Sequence, residues 1–142
     1  MKKLIYLSTL ALAALTINSC SSDDDSTKNP LVGTWEATTL SYTYVEGMTN
    51  THPFSQITAG CAVDVIELTE QHVGTVKAEE KVEQNCQATT AVATWSDSSI
   101  QVVGEATERA ILAVDDKQMT LKYLMTYPKF GTIDVIVVYT RK

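Results

Sequence analysis

The chain has 142 residues, 44% of them hydrophobic, and a formal net charge of −6. That is one domain's length, with enough apolar content for a single core. The acidic balance excludes nucleic acid as a partner, because phosphates require basic patches.

Met1-Lys2-Lys3 precedes an apolar run, Leu4 to Ile17, which ends at Asn18-Ser19-Cys20. Two lysines, a short apolar stretch and a small residue form the layout of an export signal. The run is too short for a membrane span, which needs about 20 apolar residues. Ile17-Asn18-Ser19-Cys20 resembles the bacterial lipobox, with Asn18 larger than the usual small residue. The resemblance implies cleavage after residue 19 and acylation of Cys20. Two or more acyl chains make anchoring stable, at about 0.8 kcal/mol per buried CH₂. Residues 20–30 follow as a polar tether with no apolar side chain between Cys20 and Pro30. Asp23, Asp24 and Asp25 resemble a surface-export signal of some Gram-negative lipoproteins, or serve as a plain spacer. Loss of Lys2 and Lys3 with the signal leaves a net charge of −8.

From residue 31 to 142 the chain reads as one all-β domain, rich in Thr, Val, Ile and Tyr. Thr34–Val45 is the first strand, and a change of phase near Thr38–Leu40 predicts a bulge. Glu46–Gly60 carries Gly47, Asn50, Pro53 and Gly60 and is expected to be the longest irregular segment, with room for a short helical turn. Strands are then expected at Ala62–Thr69, Val73–Glu80, Ala88–Trp95, Ile100–Val103, Glu105–Val114, Gln118–Tyr127 and Thr132–Arg141. Gly104 marks either a tight hairpin or a bulge. Within Lys77–Gln87 the charges suit a helix, but Asn85 and Cys86 argue for a loop. Eight strands with short links describe a small antiparallel up-and-down barrel, with a two-sheet sandwich as the alternative.

With Cys20 reserved for the anchor, Cys61 and Cys86 remain, an even pair that reads as a disulfide in an exported domain. Neither His52 nor His72 stands at a zinc spacing from a cysteine, so no metal and no cofactor is expected. Gly-x-Ser-x-Gly, His-Glu-x-x-His, P-loop and Gly-x-Gly-x-x-Gly motifs are absent, and no catalytic residues are assigned. His52 and His72 have Asp64 and Glu70 as conceivable carboxylate partners, while Glu79, Glu80 and Glu83 read as a solvated edge.

Leu31-Val32-Gly33-Thr34-Trp35-Glu36, the anchor with its acidic tether, a cysteine opening the second strand, a second cysteine after the next hairpin, and the run Ala110 to Leu121 together resemble the lipocalin-like domains of exported bacterial lipoproteins. One departure is Glu70-Gln71-His72-Val73-Gly74, where such domains usually turn on Asp-Gly or Asn-Gly, so the register of that hairpin stays open. The resemblance implies a barrel closed between the first and last strands, with Gly33, Trp35 and Arg141 at the seam and the Arg141 guanidinium over Trp35. It also implies an outer-membrane address, facing the periplasm or the cell surface. Two roles remain open. In one, Met48, His52 and Phe54 border the mouth of a site for a small apolar or amphipathic molecule; Phe54 alternatively plugs the barrel. In the other, Tyr42, Tyr44, Tyr123, Tyr127 and Tyr139 form a face for a protein partner, or are ordinary strand packing.

Overall fold

The computed structural model describes residues 28–45, 47–127 and 131–142, without the side chains of Tyr44, Val45 and Tyr127. The segment read as an export signal, Cys20 and the acidic run lie outside the described residues.

Nine strands and one short helix follow one another: β1 Gly33–Val45, β2 Met48–Pro53, α1 Phe54–Ile57, β3 Val65–Leu68, β4 Val73–Val82, β5 Asn85–Trp95, β6 Ser99–Val102, β7 Arg109–Val114, β8 Gln118–Tyr127 and β9 Gly131–Arg141. Every pairing is antiparallel. β1 and β3 to β9 follow one another round a ring that closes where β1 pairs β9, Trp35 opposite Arg141. This is a closed eight-stranded antiparallel barrel, not a sandwich. The ninth strand, β2, shares one edge of β1 with β3: β3 pairs Gly33–Glu36, and β2 pairs Thr39–Val45.

Four expectations change in detail. Residues 48–53 are a strand within the segment read as irregular, and hydroxyl pairs Ser41–Thr51 and Thr43–Thr49 tie it to β1. Phe54–Ile57 supplies the expected helical turn. Asn85 and Cys86 belong to β5 rather than a loop, because a two-residue turn at Glu83-Gln84 lets the hairpin pair out to Val82–Asn85. β3 starts at Val65 rather than Ala62, since Ala62 lies in the corner tied by the disulfide. β7 starts at Arg109 rather than Glu105, after a turn at Gly104, whose φ is +96°. The bulge in β1 falls where expected, between Ala37 and Thr39.

The hairpin left open at residues 69–73 turns with His72 at φ +59°, where glycine is the usual residue. Thr69 and Val73 are bridged by a backbone hydrogen bond of 2.9 Å, and Leu68 faces Gly74. His72 is held there by packing on the Trp95 ring, 4.4 Å between centroids, with Nδ1 3.1 Å from the Trp95 carbonyl. Tertiary contacts thus set the register that the sequence left ambiguous.

The barrel interior follows the period of two. Trp35 and Leu40 on β1, Ile66 and Leu68 on β3, Met119 and Leu121 on β8, and Val135, Val137 and Tyr139 on β9 are buried. Trp35 donates from Nε1 to the Leu31 carbonyl and Trp95 to that of Thr69, so the end near both tryptophans is sealed. At the other end β4, β5, β8 and β9 run on beyond the short β6 and β7, and α1 lies across the opening.

Candidate functional site

The predicted seam forms. The Arg141 guanidinium carbon lies 4.1 Å from the centre of the Trp35 ring. Its three nitrogens donate to the carbonyls of Asp116, Val32 and Pro30. Gly33, at φ +148°, leaves the space: a Cβ there would overlap Arg141 Nη1. Gly33, Trp35 and Arg141 are therefore one closure unit at the sealed end, remote from any opening. Arg141→Ala is expected to cost about 2 kcal/mol in denaturant unfolding, through the lost stacking and hydrogen bonds. Gly33→Ala displaces the same guanidinium, so the double variant is expected to be little worse than either single one.

The open end carries the cavity. Phe54 and Ile57 of α1, Thr58 and Ala59 after it, Asp64 before β3, Glu79 to Lys81 of β4, and Met125 and Thr126 of β8 line a space of about 580 Å³. α1 is set over it by the buried Phe54 and by a corner fastened three times, twice to β4 and once to β5. Cys61 and Cys86 are disulfide-bonded, Glu79 Oε2 accepts from the Ala62 N–H at 2.8 Å, and Lys81 Nζ donates to the Ala59 carbonyl at 3.3 Å. Thr58 Oγ1 closes the corner on the Cys61 carbonyl at 2.8 Å.

Of the three residues expected at a ligand mouth, only Phe54 lines this cavity, and it does so while buried, with 2% exposure. Met48 lies at the tip of the β1–β2 hairpin and is exposed, because β2 continues the edge of β1 instead of folding over the opening. His52 stacks against Tyr42, 6.0 Å between ring centroids, outside the lining. Of the two readings of the tyrosines, strand packing holds for Tyr123 and Tyr139. Tyr123 and Tyr139 point into the barrel and are buried, while the side chains of Tyr44 and Tyr127 lie outside the described residues. Glu79 and Glu80 line the rim of the cavity, and Glu83 holds the hairpin turn at φ +58°.

Inside the barrel is a polar cluster that the sequence reading did not single out. Arg109, 5% exposed, places its guanidinium 4.4 Å from the centre of the Tyr123 ring. It donates through Nε and Nη2 to both oxygens of Glu105, and through Nη1 to Tyr139 Oη at 3.4 Å. The Tyr123 and Tyr139 hydroxyls are 3.3 Å apart. Burial works against the Arg109 charge, but the hydrogen bonds to Glu105 and the charge interactions with Tyr139, Tyr123 and Glu105 prevail and raise its pKa. Burial pushes the Tyr123 hydroxyl up to about 12 and that of Tyr139 well above its ordinary range. The alternation could have found Arg109, two residues before the inward Ile111; a lone charge on an inward face is the signal.

Asp64 belongs to the same region. It shares the parity of Ile66 and Leu68, which turns it inward, and its carbonyl accepts from the Ala37 N–H at 2.9 Å. It meets neither histidine. Burial raises its pKa from 3.8 to about 6; Arg109 opposes the shift and Glu105 adds to it. The native state then holds a proton that the unfolded chain has lost between about pH 4 and 6, so stability falls as pH rises through that window. Asp64→Asn is expected to flatten the slope and to stabilise the fold at pH 7.5 by roughly 1–2 kcal/mol, measured as unfolding free energy against pH.

One grouping of metal-ligating side chains occurs among the described residues, Cys61, Glu79 and Cys86. Its two sulfurs are bonded to each other, and Glu79 is engaged with the Ala62 N–H.

No protein-family profile matches the chain, and no curated protein matches it. Solved structures do. The odorant-binding protein from bovine nasal mucosa aligns with a TM-score of 0.52 at 10% identity, over 80% of this chain and 72% of its own. The siderocalin Ex-FABP aligns at 0.51 and 10% identity, over 80% and 74%. Bovine odorant-binding protein in complex with undecanal aligns at 0.51 and 9% identity, over 78% and 70%. The domain from β1 to β9 is, in its fold, a lipocalin-like barrel.

Proposed function

We propose that this chain is a lipid-anchored, non-enzymatic binding module that holds a small apolar or amphipathic molecule at the open end of its barrel. The observation that carries the reading is the cavity itself. Its lower neighbours fill the barrel with side chains, whereas Phe54, Ile57 and Met125 present apolar surface to a space of about 580 Å³. That lies within the roughly 300–1,000 Å³ typical of small-molecule sites. A protein of similar fold has been solved with undecanal, an apolar chain with one polar end. Ile17 to Cys20 supports lipidation at Cys20 and, with the acidic tether, an address at the outer membrane of a Gram-negative cell.

The test is a titration with N-phenyl-1-naphthylamine, a neutral dye that brightens in apolar surroundings. One dye per chain is expected, and Met125→Trp, which fills the cavity from β8, is expected to abolish the signal without lowering the melting temperature. Saturable binding that Met125→Trp leaves intact would place the apolar site elsewhere.

A further inference from the structure

We infer that the ligand of this cavity carries a protonated amine on its apolar body, and that the Asp64 carboxylate receives it. The inference rests on the binding reading above and adds the chemical class.

The argument is one of unmatched partners. Three of the charged groups around the cavity are already committed: Glu79 to the Ala62 N–H, Lys81 to the Ala59 carbonyl, and Arg109 to Glu105 and Tyr139. Glu80 stands exposed at the rim. Asp64 differs from all of them. It faces inward and is largely withdrawn from water, yet among the described residues its carboxylate accepts no hydrogen bond. No fully buried side-chain oxygen or nitrogen lacks a partner among the described residues. The Asp64 oxygens therefore keep some accessible surface, and Asp64 lines the cavity, where a bound molecule can meet them.

The surrounding charge decides which molecule. Asp64, Glu79 and Glu80 face the space against the single ammonium of Lys81. A carboxylate ligand meets repulsion from three acids, and the one guanidinium nearby is held in a two-point bond to Glu105. A neutral ligand leaves Asp64 charged, desolvated and unpaired, which is costly. An ammonium supplies the missing donor and cancels the charge, while Phe54, Ile57 and Met125 take the apolar part. Burial, the main cause that raises the Asp64 pKa, acts in the same sense: the carboxylate is short of water to solvate its charge.

Hexylamine, hexan-1-ol and hexanoate share one apolar tail and differ in the head, and each is titrated calorimetrically into the full-length protein at pH 7.5. The amine is expected to bind at least about tenfold more tightly than the other two, the scale of one charge-assisted hydrogen bond in a desolvated site. Asp64→Asn is expected to bring the amine down to the affinity of hexan-1-ol. Lowering the pH to 5 is expected to weaken the amine in the wild type alone. Arg109, Glu105, Tyr123, Tyr139, Glu79, Glu80 and Lys81 surround Asp64, and the variant retains them all, so a response missing from it belongs to Asp64. Equal affinity for amine and alcohol in the wild type overturns the amine assignment and leaves the binding reading standing, even if the variant does not fold. Binding of none of the three overturns both.

Discussion

Replacing Cys61 and Cys86 with serine is expected to lower the unfolding free energy by about 3.5 kcal/mol, the loop-closure value for a 25-residue separation. For a domain whose total stability is about 5–15 kcal/mol, that is a large share. The loss has a local face as well. The corner at residues 58–62 carries α1 over the cavity, and without the covalent bond to β5 it is left with the Glu79 and Lys81 hydrogen bonds to β4. Amide exchange is therefore expected to accelerate at Phe54 to Ala62 well before the sealed end near Trp35 responds. A reduced protein as stable as the oxidised one, with equal protection at both ends, would contradict this picture.

Arg109→Ala is the second large effect, expected at about 3 kcal/mol. Breaking a buried ion pair by removing one partner costs about 3–5 kcal/mol, because the other charge is left unpaired. The low end applies here because the Glu105 side chain keeps 34% of its exposure and can turn to solvent. Tyr139 Oη, buried with its residue, loses a donor at the same time. Arg109→Met with Glu105→Leu removes both charges and restores apolar volume, so most of the stability is expected to return in urea unfolding. A double variant no better than Arg109→Ala would show that the pair fixes the low wall of β6 and β7 in some further way.

The strands were legible because alternation is a local property. Met119, Leu121, Tyr123 and Met125 announce one inward face of β8, and Thr38 announces its bulge by a change of phase. Barrel closure was legible only through Gly33, Trp35 and Arg141, since nothing local says that residue 141 returns to residue 35. The two hairpin turns that carry His72 and Glu83 at positive φ were hard to read for a physical reason. Neither offers the glycine or asparagine that normally takes that conformation, and packing or a long ladder compensates. The cavity was harder still. Met48, His52 and Phe54 were grouped by proximity in sequence, yet β2 pairs with β1 and draws the first two away from the opening. Asp64 and Arg109 sit on inward faces that the alternation predicts, but what Asp64 does there depends on Glu105 and Arg109, 41 and 45 residues further along the chain, and no spacing rule connects them.

Native mass spectrometry of the protein purified from its own cell envelope, with bound molecules released gently, tests the central claim most directly. A reproducible small molecule on the folded chain, lost on unfolding and absent from Met125→Trp, is the predicted result. A folded chain that carries nothing beyond any acyl groups at Cys20, with the two hydrogens missing from Cys61–Cys86, would contradict it.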